Sequence, residues 1–329
     1  MPVSIIVHGG AGTLTPERLE ITQEGCKEAV LIGWQILQRG GSALDAVEAA
    51  VRALEDNPNF NAGVGSCLTA EGNIEMDAGI MEGHTLQVGA VAAVELIKNP
   101  IVLARKVLES PHVLLIGAGA QEFARQQAIP TCTFEELWTE RQHNNWLKAR
   151  GEQNKEGEGD EEDEPRYHRR EIARLAARPT REEQLKKSAE GGVEKKHGTV
   201  GAVAIDEQGR LAAATSTGGI HNKYPGRVGD SPLVGCGFYA DENAAISCTG
   251  YGEDFIRLMI AKRAADFVAH GSGAREAAEA AIAFLGAKAE GTGGLILVDR
   301  HANLGFAWNS EHMVHAYISS EMQEPVTGV

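Results

Sequence analysis

His197-Gly198-Thr199-Val200-Gly201-Ala202-Val203-Ala204-Ile205-Asp206 carries the chain from a charged, poorly patterned segment straight into an apolar strand. One hydroxyl residue, Thr199, stands at the junction, and Gly198 precedes it. In mid-chain a threonine hydroxyl is almost fully protonated and needs an adjacent base to act as a nucleophile. Cutting the Gly198–Thr199 bond would supply one. The new α-amine, with a reference pKa of about 7.7–8.0, would sit beside the hydroxyl of its own residue. Being partly neutral at pH 7, it can accept the hydroxyl proton without a histidine partner. The cut itself requires the hydroxyl to swing back onto the preceding carbonyl, and glycine gives the backbone that freedom. The same residues also suit a plain strand start, with Gly-Thr merely opening it.

Outward from this stretch, composition sets bounds. A chain of 329 residues is ample for one large domain or two small ones. The formal net charge of −15 argues against nucleic acid or an anionic membrane as partner, although one acidic run supplies much of it. Cys26, Cys67, Cys132, Cys236 and Cys248 are odd in number and lack CxxC spacing. They read as reduced core residues of a cytoplasmic protein. No apolar run approaches the roughly 20 residues of a transmembrane helix.

Towards the N-terminus, Val3–Val7 is a buried-strand pattern ending at His8-Gly9-Gly10. His8 suits either a catalytic part or a local packing one. Thr15-Pro16-Glu17 starts a helix expected to reach Gln38. Ser42 caps a second, with Asp45 placed as in a capping box. Residues 54–65 read as a loop. Gln87–Ile97 is a strand, residues 101–109 a helix, and Val113–Ile116 a strand running through Gly117-Ala118-Gly119 into a further helix. That last unit resembles a dinucleotide-binding turn, but Glu122 stands at the third glycine position and would face a pyrophosphate. From about Trp138 the pattern decays. Residues 150–196 read as a mobile, exposed, acidic and charged linker, with a solvated helix at 166–188 as the alternative for part of it. Beyond it come paired strands at Thr199–Asp206 and Leu211–Thr215, then Val234–Tyr239 and Ala244–Cys248. Helices follow at Gly252–Ala269 and Gly273–Lys288, then strands at Leu295–Val298, Leu304–Trp308 and Met313–Tyr317. Grouped strands, helices and strands point to a layered α+β architecture rather than alternating βαβ units.

Arg227 and Asp230 lie three apart in a Gly/Pro-rich loop. A zwitterionic amino acid needs a cation for its carboxylate, which Arg227 offers, and an anion for its ammonium, which Asp230 offers. A surface ion pair is the alternative for both.

Several ordered motifs resemble the plant-type L-asparaginase/isoaspartyl peptidase family. These are Val7-His8-Gly9-Gly10-Ala11-Gly12, Gly40–Val47, Phe60-Asn61-Ala62-Gly63-Val64-Gly65 and Met76-Asp77-Ala78. Gly198–Ala204, Ala214–Gly219, Gly226–Pro232 and Ser247-Cys248-Thr249-Gly250 complete the set. The resemblance covers nearly everything outside about residues 140–196. It implies a self-cleaving N-terminal nucleophile hydrolase with a four-layer αββα sandwich of mostly antiparallel sheets. Residues 1–198 would form the α subunit and residues 199–329 the β subunit of one structural domain. Thr199 would be the nucleophile, and Thr249 with Gly250 the oxyanion hole. Thr217 would hydrogen-bond near the nucleophile, and Asn61 would stand near the scissile bond. Structural sodium would sit on the backbone carbonyls of Leu54, Glu55, Asn57, Phe60, Ala62 and Val64, with no organic cofactor. The implied reaction releases aspartate from asparagine or β-aspartyl dipeptides through a β-aspartyl ester, in a homodimer of αβ units. An aspartylglucosaminidase-like amidase and an uncleaved small-molecule binding protein remain as alternatives.

Overall fold

The computed structural model describes residues 1–150 and 196–329. The expected linker, with the alternative helix at 166–188, lies outside the described residues apart from its two ends.

The larger of two sheets runs β13-β12-β1-β6-β7-β2-β3-β4, with β5 added on β1. These strands are β1 (Ser4–Gly12), β2 (Met76–Glu82), β3 (Gln87–Val94), β4 (Leu114–Ile116), β5 (Lys196–His197), β6 (Val200–Ile205), β7 (Leu211–Thr217), β12 (His312–Ser319) and β13 (Val326–Gly328). Every pairing in it is antiparallel except β3 with β4. The smaller sheet runs β11 (Leu304–Trp308), β10 (Gly293–Asp299), β9 (Ala244–Gly250), β8 (Phe238–Ala240), all antiparallel.

Strand alternation builds the layers. Ile5 and Val7 of β1 face a core shared with helices α1 (Pro16–Gln38), α2 (Ala43–Asp56) and α3 (Pro100–Leu108). Ile6 between them points the other way, onto Phe238, Ile296 and Val298 of the small sheet. In β10, Ile296 and Val298 face that inter-sheet core, while Leu295 and Leu297 pack on two outer helices, Ile260–Ala269 and Ala274–Lys288. Both faces of each central strand are therefore apolar, which is why these strands read as continuous hydrophobic runs. The result is the expected αββα sandwich.

Some element boundaries differ from expectation. Helix 252–269 is broken into α7 (Gly252–Leu258) and α8 (Ile260–Ala269) by Met259 at φ 51°. The break lets the first amides of α8 serve a neighbouring loop, Ala261 N on Cys236 O and Lys262 N on Gly235 O. Strand β8 starts at Phe238 rather than Val234, because Gly235 at φ 83° turns the chain and returns its amide to Phe238 O. The capping box at Ser42 is half formed. Ser42 accepts from Asp45 N, but the Asp45 carboxylate goes to Arg105 at 3.0 Å. Helix α9 is Ala274–Lys288, close to the expected bounds.

Two more helices, α4 (Gly117–Gln126) and α5 (Phe134–Leu137), lead to α6 (Glu140–Arg150), which the sequence left unassigned. Its apolar pattern is weak because polar side chains dock it. Arg141 and Gln142 reach the carbonyl of Gly65, Trp146 that of Thr69, and Arg150 that of Ala70.

Candidate active site

Thr199 lies at the start of β6, in the middle of the large sheet, and is 5% exposed. Its Oγ1 is 3.4 Å from Ser231 Oγ, a hydroxyl partner and not a base. Nothing in the sequence around Ser231 distinguishes it as a partner of Thr199. Its carbonyl accepts from Thr215 Oγ1 at 2.6 Å, so strand β7 fixes the loop that carries it. The imidazole of His8 lies on the neighbouring strand, where His8 pairs with Gly201 in the β1–β6 register. Burial pushes its pKa down to about 3, against a raising contact with the Thr199 backbone, and its Nε2 lies 2.9 Å from Ser247 Oγ. The ring is neutral and locally bonded, in line with the packing alternative.

Asn61 is the hub beside the Gly198–Thr199 bond. Its amide donates to Gly219 O at 2.7 Å, and its Oδ1 accepts from Cys67 N at 2.7 Å. A Cβ on Gly198 would lie 2.6 Å from Asn61 Cβ, so residue 198 has no room for a side chain. Thr217 Oγ1 accepts from Gly219 N at 3.0 Å, which fixes the turn that Asn61 also holds. Thr249, at the end of β9, accepts from Ala11 N at 3.3 Å. The positive φ of Gly10 (109°), beyond a bulge at residues 8–11, is what turns that amide inward.

Arg227 and Asp230 come together on the far side. Gly252 lets them, since a Cβ there would meet Arg227 Nη2 at 2.9 Å and Asp230 Oδ1 at 3.0 Å. Burial pushes the Asp230 carboxyl up to about 7, opposed by the Arg227 charge. Its Oδ2 is buried with no hydrogen-bond partner among the described residues. Arg227 also pairs with Glu253, whose carboxylate accepts from its Nε and Nη2 at 3.0 and 2.8 Å. The sequence also missed the clamp beneath this loop. Glu75 Oε2 accepts from Gly226 N, Asp77 Oδ2 from Gly229 N, and the buried Lys223 Nζ donates to Glu75 O.

Thr199, Thr217, Arg227, Asp230, Ser231 and Gly250 line one cavity of about 230 Å³. Gly198 lines it too, and also a larger one of about 510 Å³ on its other side.

The carbonyls expected to hold a cation follow a different chain path from the one anticipated. Leu54 and Glu55 belong to the last turn of α2, which runs on to Asp56, and only the others are loop residues. Leu54 O accepts from Asn57 N, Glu55 O from Val64 N and Asn57 O from Phe60 N. The carbonyls crowd round Gly63, where a Cβ would lie 2.5 Å from Glu55 O and 2.8 Å from Lys98 O. Neutral oxygen donors fit a hard cation better than a transition metal. Phe60 O is already shared with the Arg141 guanidinium at 3.0 Å. Among the described residues no group of three or more side chains could hold a metal ion.

Residues 1–327 match the asparaginase family. The chain belongs to that family. Among the relatives of this asparaginase-family chain, the plant-type L-asparaginase of Thermococcus kodakarensis is 48% identical over 332 residues, covering 99% of each protein. The plant-type L-asparaginase of Pyrococcus horikoshii is 47% identical over 332 residues, covering 99% of this chain and 100% of its own. The isoaspartyl peptidase/L-asparaginase of Rattus norvegicus is 43% identical over 320 residues, covering 96% of this chain and 86% of its own. The αββα sandwich agrees with an N-terminal nucleophile hydrolase. Among the described residues no helix is long and apolar enough to cross a membrane.

Proposed function

We propose that this protein cleaves itself between Gly198 and Thr199 and then hydrolyses L-asparagine and β-aspartyl dipeptides, releasing aspartate. The observation that carries the reading is one cavity. A hydroxyl at a potential chain terminus shares it with a cation, Arg227, and a carboxyl, Asp230, and Gly198 lines it too.

Substrate binds with its α-carboxylate on Arg227 and its ammonium on Asp230. Thr199 Oγ attacks the side-chain carbonyl, and the Thr199 α-amine takes the hydroxyl proton. The oxyanion forms against Thr249 Oγ1 and Gly250 N. A hydroxyl that already accepts from Ala11 N is the stronger donor for it. The protonated amine gives its proton to the departing ammonia or amino acid. Water then opens the β-aspartyl ester. Thr217 and Asn61 hold the turn at Gly219 and keep the nucleophile's surroundings fixed.

Cleavage divides the single domain into residues 1–198 and 199–329, and both contribute: Asn61 and Ala11 from the first, the reacting groups from the second. We assign a sodium ion to the carbonyls of Leu54, Glu55, Asn57, Phe60, Ala62 and Val64, where it would stiffen the loop bearing Asn61. Replacing sodium by choline should lower the melting temperature, and an unchanged melt removes the assignment. The five free cysteines support a reducing, cytoplasmic setting, and we take the working form to be a homodimer of αβ units. Aspartate release from asparagine by the cleaved protein, lost in Thr199→Ala, tests the whole reading. Full turnover by that variant would refute it.

A further inference from the structure

The cavity of about 510 Å³ beyond Gly198 is lined by none of Thr199, Thr217, Arg227, Asp230, Thr249 and Gly250. Two guanidiniums stand in its wall, Arg18 from α1 and Arg141 from α6. Neither forms an ion pair with a carboxylate among the described residues. Arg18 donates from Nη1 and Nη2 to the side chain and backbone of Asn59, and its buried Nε has no hydrogen-bond partner among the described residues. Arg141 Nη2 donates to the carbonyls of Pro58 and Phe60 at 2.8 and 3.0 Å. In a chain of net charge −15, two half-buried like charges on one wall call for an anion. Gly9, Gly10, Gly12, Leu14 and Phe60 also line it, so no carboxylate side chain faces the two arginines there.

We propose that this cavity is the subsite for the amino acid that leaves a β-aspartyl dipeptide, with Arg18 and Arg141 taking its free α-carboxylate. The inference rests on the reading of Thr199, Arg227 and Asp230 above. With the aspartyl end held by Arg227 and Asp230, the leaving amine departs on the side where Gly198 separates the two cavities. Once the Gly198–Thr199 bond is cut, that partition is a chain end and can move. Asparagine, whose leaving group is ammonia, has nothing to place there. The arginines therefore discriminate between the two substrates.

The test compares β-aspartyl-leucine, β-aspartyl-leucinamide and asparagine in the wild type and in Arg18→Met, which keeps the apolar stem. A hydrogen bond to a charged group is worth about 1.5–3 kcal/mol, so the wild type should favour the free acid over the amide by about tenfold or more in kcat/KM. Arg18→Met should remove that preference through KM and leave amide and asparagine turnover unchanged. An indifferent wild type overturns the subsite. So does an equal loss on all three substrates, which would give the arginines to the carboxylate that cleavage creates on Gly198. Absence of asparagine turnover in the wild type would instead sink the underlying reading.

Discussion

Arg227 and Glu253 are joined by two charge-assisted hydrogen bonds, Nε to Oε1 at 3.0 Å and Nη2 to Oε2 at 2.8 Å. The carboxylate fixes the guanidinium plane, and the Gly229 backbone lies close beside Nη1. Glu253 itself is a partly exposed residue of α7 whose side chain is 41% exposed. Glu253→Ala should therefore raise KM for asparagine about tenfold, the loss expected for one oriented charged hydrogen bond, with kcat little changed. Self-cleavage should proceed normally, because the pair lies on the substrate side of the cavity. Steady-state kinetics with a parallel gel of fragments checks both. An unchanged KM would mean that Glu253 competes with substrate as much as it orients Arg227.

Asp230 should write itself into the pH profile. Its carboxyl is raised to about 7 by burial and must be ionised to pair an ammonium. The Thr199 α-amine, with a reference pKa of about 7.7–8.0, must also lose its proton. On the acid side kcat/KM should fall with a limiting slope of about two, one proton for each group. Asp230→Asn should be much slower, with a slope of about one. Stability carries the same signature. Folded Asp230 holds its proton from its unfolded value, about 3.9, up to about 7, so stability falls as pH rises through that window and is flat above it. Chemical denaturation across pH should show this slope in the wild type and lose it in Asp230→Asn.

Gly198→Ala should slow self-cleavage at least tenfold without unfolding the protein. The added methyl meets Asn61 Cβ at 2.6 Å, and Asn61 holds both Gly219 and Cys67. Timed electrophoresis after synthesis measures the rate, and a normal rate would show that Asn61 does not constrain the scissile bond.

Gly201→Ala tests packing between the sheets. Its Cβ would lie 1.9 Å from Ser247 Oγ and 2.6 Å from His8 Nε2, inside the hydrogen bond that joins those two side chains. A loss of about 1–3 kcal/mol is expected from overpacking of this kind. Denaturant melts read it directly, and an unshifted midpoint would contradict the inter-sheet geometry.

How much of this was legible beforehand depended on the kind of signal. The layered sandwich could be read because residues such as Leu295–Val298 form unbroken apolar runs, and only a strand buried on both faces needs that. Thr199, Arg227, Asp230 and Asn61 stood in glycine-rich motifs, and the structure gathers them round Gly198. Glu253 and Ser231 could not be inferred, since an exposed glutamate on a helix and a serine in a turn have no distinguishing spacing. Helix α6 was missed for a related reason. Arg141, Gln142 and Trp146 dock by hydrogen bonds to backbone carbonyls, and such contacts leave no periodicity. The break at Met259 was equally silent, because its cause is a pair of carbonyls two dozen residues upstream.

Mass spectrometry of the purified protein, before and after a quench during turnover of asparagine, tests the central claim most directly. Two fragments should meet at Gly198 and Thr199, and a β-aspartyl adduct should appear on Thr199 alone. An active protein that stays in one piece, or one that carries its adduct on any other residue, would contradict the assignment of Thr199 as the nucleophile.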